Sequence, residues 1–201
     1  MNMAHFDLYL ASASPRRKAL LESIGLKLLV CPADIDEEAY SNETPESYVR
    51  RLALQKAQAA FERCQDRILH RPFMGADTIV ACDGELFGKP LNEDDAVRMW
   101  TAMSGKKHQV LTALAVIDGV ENDATSVVEL SISHVQFKAL HLSEMRTYWM
   151  SGEPQDKAGA YGIQGAASAW VQSIQGSYTG VMGLPLFETN RALSQFNLNW
   201  L

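Results

Sequence analysis

An apolar run, Leu8-Tyr9-Leu10-Ala11, is followed at once by Ser12-Ala13-Ser14-Pro15-Arg16-Arg17 and then by the helical spacing of Ala19, Leu20, Leu21 and Ile24. That order predicts a strand turning sharply into a helix. Ser14 is a good N-cap and Pro15 suits the first helical position, so the amides of Arg16, Arg17 and Lys18 are left to face outward. A helix N-terminus attracts anions through its unpaired N–H groups and its dipole, and three cations and two serine hydroxyls add to that attraction here. A purely structural helix would carry Asp or Glu in its first turn instead. Phosphate is the ligand this corner predicts.

The chain continues in the same style. Gly25 closes the first helix and Lys27 to Cys31 reads as a short strand, which gives a βαβ start. Pro32 to Glu43 is acidic and irregular, a loop bearing Asp34, Asp36, Glu37, Glu38 and Glu43. Thr44 and Pro45 open a second helix whose inner face is Tyr48, Val49, Leu52, Ala53, Ala57 and Ala60; Lys56 projects from that face or its edge, either snorkelling or reaching for a buried anion. Phe73 to Cys82 reads as a strand with Asp83-Gly84 as its hairpin turn. Side chains alternate across a sheet, so Asp77 shares one face with Ile79 and Ala81 while Thr78 shares the other with Val80 and Cys82. A carboxylate among small apolar neighbours demands a partner or a function. Asn92 caps a third helix, and two long strands follow, His108 to Asp118 and Ser126 to Phe137, joined through a Gly119 turn. In the second, Val128, Leu130 and Ile132 alternate with Glu129, Ser131 and Ser133, predicting an antiparallel strand whose serine side is the wetter one. Ser143 to Met150 is a short helix, Trp170 to Ile174 a strand, and Pro185 opens the terminal helix. The sheet is therefore mixed and the fold class α/β, with two lobes sharing a cleft in one domain spanning 1–201; no linker or repeat divides it.

Composition excludes several functions. A net charge of −6, from 18 Lys and Arg against 24 Asp and Glu, argues against a general nucleic-acid binder. The residues Met1 to Asp7 lack the pattern of a signal peptide, and no apolar stretch approaches membrane-spanning length. Cys31, Cys64 and Cys82 are odd in number and widely spaced, with no pair at metal-ligand spacing, which suits a reducing cytoplasm.

Gly84 to Pro90 is not a P-loop, because only three residues separate Gly84 from Gly88 and proline follows Lys89 where Ser or Thr should hold magnesium. No histidine lies in a recognisable nucleophile context. The better constellation is Asp77 with acidic residues such as Glu37 and the cations Arg16, Arg17, Lys56 and Lys89. Carboxylates bind a hard divalent metal and can deprotonate water, while Arg and Lys neutralise polyphosphate. On this evidence alone, phosphate binding and phosphoanhydride cleavage both remain open.

The segments SASPRR, Ile35-Asp36-Glu37-Glu38, Leu54-Gln55-Lys56-Ala57, Gly75-Ala76-Asp77-Thr78-Ile79-Val80, Gly88-Lys89-Pro90 and Lys157-Ala158-Gly159-Ala160-Tyr161-Gly162-Ile163-Gln164-Gly165 together resemble the Maf nucleoside triphosphate pyrophosphatases, in order from Leu8 to about Gln195. The resemblance implies an elongated two-lobed α/β fold akin to that of the inosine triphosphate pyrophosphatases, with the active site in a central cleft. It also implies a homodimer that hydrolyses a nucleotide between its α and β phosphates, giving a monophosphate and pyrophosphate with a divalent cation, Mg, Mn or Co. Under it Asp77 is the proton acceptor, Arg17, Lys56 and Lys89 face the phosphates, Ser12 is a phosphate contact, and Glu37 handles the metal with Asp77. Base preference follows Arg16, Thr78 and Gln164, a set that resembles the dTTP and UTP subgroup. A 7-methyl-GTP subgroup carries Trp, Gln and Glu at those places and is the nearer alternative. A nucleotide-responsive regulator of septum formation is the other, although a sensor would need no base.

Overall fold

The computed structural model describes residues 6–64, 71–118 and 125–198. The Gly119 turn lies outside them. The described chain forms two compact units, the first comprising the residues up to Asp77, Thr112–Leu130 and those from Gly183 onward, the second Thr78–Leu111 and Ser131–Met182.

The first unit opens as the sequence predicts. β1 (Leu8–Leu10) leads into α1 (Pro15–Ser23), and β2 (Leu28–Val30) returns parallel to β1, with Leu8 opposite Leu28 and Leu10 opposite Val30. Gly25 ends α1 in the left-handed region at φ 89°, which a residue without Cβ adopts freely. α2 (Pro45–Arg63) begins at the Thr44 cap, whose hydroxyl accepts from Ser47 N, and buries Val49, Leu52, Ala53, Ala57 and Ala60. Tyr9 stacks on Phe73, with ring centroids 4.1 Å apart, and Phe61 of α2 meets Phe73 edge-on. Each such ring taken from water stabilises the unit by about 1.5–3 kcal/mol.

β3 (Phe73–Cys82) pairs parallel with β1 and antiparallel with β4 (Glu85–Phe87) across the Asp83-Gly84 turn, where both residues have positive φ. With β5 (Lys107–Asp118), β6 (Thr125–Phe137) and β7 (Val171–Gln175) the strands make a mixed sheet of order β2-β1-β3-β5-β6-β7, β4 joining on β3. β3, β5 and β6 each give one part to each unit. The second unit adds α3 (Glu93–Met103), α4 (Leu142–Met150), three short 3₁₀ turns and α5 (Tyr178–Val181), while α6 (Leu186–Ser194) belongs to the first. Trp100, Phe87, Met103, Phe137, Tyr148 and Trp170 form the second unit's core.

Three features depart from the sequence reading. On β6 the wet and dry faces are exchanged over residues 131–133: Ser131 and Ser133 are buried and Ile132 is 38% exposed. Val135 and Phe137, fully buried, set the inward register, and period-2 alternation carries the serines inward with them. Ser133 is satisfied there, its Oγ accepting from Ser177 N at 2.9 Å and donating to Ser177 O at 3.1 Å. Secondly, Cys31 and Cys64, 33 residues apart, are joined by a disulfide between the end of β2 and the C-cap of α2, so the widely spaced set conceals a pair. Cys82 alone is a buried free thiol. Thirdly, α5 has too few residues to show a helical period, and its Ser177 cap, accepting from Gly180 N, became legible only in the fold.

Candidate active site

The corner between β1 and α1 is formed as expected but uses its amides differently. Ser14 Oγ accepts from Arg17 N at 3.5 Å and Ser14 O from Lys18 N at 3.2 Å, so two of the three amides assigned to an anion are held by the cap. The corner's cation lies inside it. Arg17 Nε donates to Gly183 O at 2.8 Å and Nη1 to Ser12 Oγ at 3.2 Å, and Ser12 Oγ also accepts from Ser14 N. Burial draws the Arg17 guanidinium below its ordinary value, the field of Asp77 works the other way, and arginine remains charged. The Ser12 side chain is thus fixed from two sides.

Asp77 ends the first unit's part of β3, and it is buried. Its Oδ1 accepts from Lys56 Nζ at 2.6 Å, and the same ammonium stands 2.7 Å from Glu37 Oε1. Lys56 therefore reaches a buried anion, the second of the two options its position left open. What brings α2 so near β3 is Gly75: a Cβ there would lie 2.3 Å from Ala53 O and 2.6 Å from Ala57 N. Only a residue without a side chain allows that approach, and two residues further along the strand Asp77 comes level with Lys56. Burial pushes the Asp77 carboxyl above its ordinary value; Lys56 and Arg17 pull it back, and Glu37 pushes it up again. A carboxylate raised in this way is a better proton acceptor than a free one.

Glu37 is half exposed and lies on the acidic loop. Among the described residues no three His, Cys, Asp or Glu side chains converge as a metal cage. Two carboxylates meeting on one ammonium nevertheless form a hard-oxygen pair, and a cation of the magnesium type commonly takes one or two protein carboxylates and completes its shell with phosphate and water. The donor set fits such an ion.

Within the second unit, Lys89 is exposed after β4 and Gln164 is exposed on the glycine loop. A backbone bond ties the two segments, Gly159 N donating to Gly88 O at 3.0 Å, with Gly159 pressed on Val80 so closely that a Cβ would sit 2.8 Å from its methyl. The loop is pinned along its length: Trp100 Nε1 donates to Ala160 O at 3.0 Å, His108 Nε2 and the Tyr161 hydroxyl are 2.9 Å apart, and Gly162 N donates to Tyr148 Oη at 3.0 Å. Tyr148 in turn donates to Glu153 Oε1 at 2.8 Å, and Glu153 Oε2 accepts from Ala166 N. His108 is buried against Phe137 and Tyr161, and burial lowers it to about 4, so it is a neutral structural residue at ordinary pH.

Ser12, Arg17, Glu37, Lys56 and Asp77 thus cluster in the first unit, where Arg16 also lies, partly buried. Thr78, Lys89 and Gln164 belong to the second. Gly75, Gly183 and the Tyr148–Glu153 clasp escaped the sequence reading; of these only Gly75, inside a motif and within a strand that disfavours glycine, carried a local signal.

The description Maf-like protein fits residues 7–196. Among similar proteins, the dTTP/UTP pyrophosphatase of Alkalilimnicola ehrlichii is 45% identical over 195 residues, covering 96% of this chain and 94% of the relative. That of Chromobacterium violaceum is 50% identical over 190 residues, 94% of each chain. That of Citrifermentans bemidjiense is 50% identical over 191 residues, covering 95% of this chain and 96% of the relative. With a match that runs from the entrance to β1 past the end of α6, and half the residues shared with such relatives, this chain belongs to the Maf family.

Proposed function

We propose that the chain is a nucleoside triphosphate pyrophosphatase acting on dTTP, UTP and modified pyrimidine nucleotides, working as one catalytic domain and as a homodimer. The observation that carries the reading is the buried Asp77 carboxylate, raised by burial and held 2.6 Å from Lys56, which also meets Glu37. The names of the relatives supply the substrates.

In this mechanism Asp77 takes the proton of the attacking water as its oxygen bonds to the α-phosphorus. The anhydride bond to the β-phosphate breaks and pyrophosphate leaves with the bridging oxygen, so the monophosphate retains the oxygen from water. Arg17, Lys56 and Lys89 neutralise the charge that moves onto the leaving group, and Ser12 holds a phosphate oxygen. Glu37 and Asp77 would hold a divalent cation, Mg, Mn or Co, which when bound would add to the neutralisation of the triphosphate. Gln164 reads the base edge, its amide donating to O4 and accepting from N3–H, with Arg16 and Thr78 completing the selection. No described helix is long and apolar enough to cross a membrane. The substrate is drawn from the cytoplasmic nucleotide pool.

A nucleotide panel with separate detection of pyrophosphate and orthophosphate tests the reading. dTTP and UTP should yield one pyrophosphate per monophosphate, with 7-methyl-GTP turned over poorly. Orthophosphate as the first product, or a preference for 7-methyl-GTP, would overturn it, and tight binding without turnover would favour a sensor.

A further inference from the structure

A side chain outside the reacting cluster, Arg51, makes the most extensive fastening between α2 and the acidic loop that bears Glu37. Arg51 Nε donates to Glu43 Oε1 at 2.7 Å and Nη2 to Glu43 Oε2 at 2.6 Å, a two-pronged pair in which the Glu43 side chain is only 8% exposed. Nη2 also donates to Glu38 O at 3.0 Å and Nη1 to Gln55 Oε1 at 3.1 Å. The guanidinium carbon lies 3.9 Å from the centre of the Tyr40 ring. One helical turn earlier the Tyr48 hydroxyl donates to Glu37 O at 2.9 Å. The carbonyls of two consecutive residues, 37 and 38, are therefore tied to the same helix that carries Lys56. The loop's own composition opposes this position, since Asp34, Asp36, Glu37, Glu38 and Glu43 repel one another and gain from solvation. A planar guanidinium with five donors can bind a carboxylate, a carbonyl and a ring at once, which a lysine cannot.

We infer that Arg51 is a positioning residue that, with Tyr48, straps the Glu37 loop to α2 and thereby sets the affinity of the Glu37–Asp77 pair for a divalent cation. The inference rests on the metal role proposed for Glu37. Removing the strap leaves Glu37 intact but frees it to leave Lys56 and Asp77. Loss of a residue that orients a metal carboxylate typically weakens the ion roughly 10–100-fold.

The test uses the full chain without substrate. Hydrogen exchange should quicken at the amides of residues 36–43 in Arg51→Ala while those of the α2 interior stay protected, and Mn²⁺ titration followed by the free-ion electron paramagnetic resonance signal should show that loss of affinity. Arg51→Ala placed on Glu37→Gln should add nothing beyond about twofold, because a residue acting only through Glu37 has no effect once that carboxylate is gone. Glu43→Gln, which removes one prong of the strap with little change in shape, carries the same measurements should Arg51→Ala not fold. Mn²⁺ affinity weakened by Glu37→Gln but not by Arg51→Ala or Glu43→Gln, unchanged exchange at residues 36–43, or additive effects would each overturn the strap alone. Unchanged Mn²⁺ affinity in Glu37→Gln would overturn the metal role of Glu37, and the inference with it.

Discussion

The charged cluster of the first unit and the glycine loop of the second are built on opposite plans. Around Asp77 the parts are long ionic side chains, Lys56, Arg17 and Glu37, whose charges tune one another within the cluster. Along the glycine loop that carries the exposed Gln164 the fastenings are mostly neutral side chains and backbone, Trp100 on Ala160, His108 on Tyr161, Tyr148 on Gly162 and the Gly159 amide on Gly88, with the Glu153 carboxylate behind Tyr148. The first plan allows protonation and charge to be adjusted; the second fixes position. The proposed mechanism draws on the first for moving a proton and on the second for holding one edge of a flat ring.

The sharpest break should come at Asp77. Asp77→Asn keeps the shape and should lower kcat by about 10²–10⁴ while nucleotide binding is largely retained, because an amide cannot accept the water's proton. Near-normal turnover of dTTP at saturating substrate and metal would move the chemistry elsewhere.

The loop's fastenings should show themselves in stability. His108 has its proton affinity lowered from 6.5 to about 4 on folding, so the unfolded chain binds the extra proton first as pH falls. Its contribution is present above pH 6.5 and is lost progressively as the pH falls toward 4, on the order of 3 kcal/mol across that window. In His108→Gln, urea unfolding compared at pH 7 and pH 5 should show a smaller pH dependence than in the natural chain; equal slopes would deny His108 that role.

One substitution made in both regions contrasts them directly. Gly75→Ala sets a methyl against helix backbone, so α2 must move from β3, at about 1–3 kcal/mol of stability, and kcat should fall with it. In Gly165→Ala the methyl would meet the Glu153 carboxylate at 1.9 Å, the end of a side chain that can swing aside. That swing releases the Tyr148–Glu153 clasp, so KM should rise with kcat little changed. Stopped-flow and steady-state kinetics on the two proteins separate the cases, and a shared pattern would erase the distinction drawn between the regions.

Base choice should respond more gently. Gln164→Glu opposes a carboxylate to the O4 acceptor, a loss of ~1–3 kcal/mol on UTP and dTTP. Joined with Arg16→Trp it should favour a methylated cationic purine. The ratio of kcat/KM for UTP to that for 7-methyl-GTP is the readout, and constancy across the variants would remove these positions from base selection.

The smallest expected effect is a displacement of pH. In the proposed mechanism Asp77 works ionised, so the acid limb of kcat/KM should mark its protonation and lie above the ordinary carboxylate range, because burial raises that carboxyl. Lys56→Met should move the limb to higher pH and Glu37→Gln to lower pH, since the ammonium favours the ionised form and the neighbouring carboxylate opposes it. Movement in the same direction by both would contradict the coupling.

Much of this was legible in the chain because local chemistry decided it. Ser14-Pro15 and Thr44-Pro45 start helices within one or two residues of themselves, and Asp77 among small apolar neighbours announces a buried charge before any partner is known. What stayed hidden depends on residues distant in sequence. Ser131 and Ser133 look solvated until Val135 and Phe137 fix the register and Ser177 satisfies Ser133. Cys31 finds Cys64 only after α2 has run back past β2. Arg51 carries no signal of its own in the sequence, because the carboxylate, carbonyl and ring it gathers come from a loop without periodicity.

The alternation of β3 has a bearing on how such an enzyme can diversify. Asp77 and Thr78 are joined by one peptide bond yet project from opposite faces of the strand, so residue 78 can be exchanged without displacing the carboxylate beside it. Inserting or deleting a single residue within β3 ahead of Asp77 would instead turn the carboxylate to the other face. If Thr78 takes part in base selection as proposed, preference can change there by point substitution, while the spacing from Gly75 to Asp77 has to stay fixed.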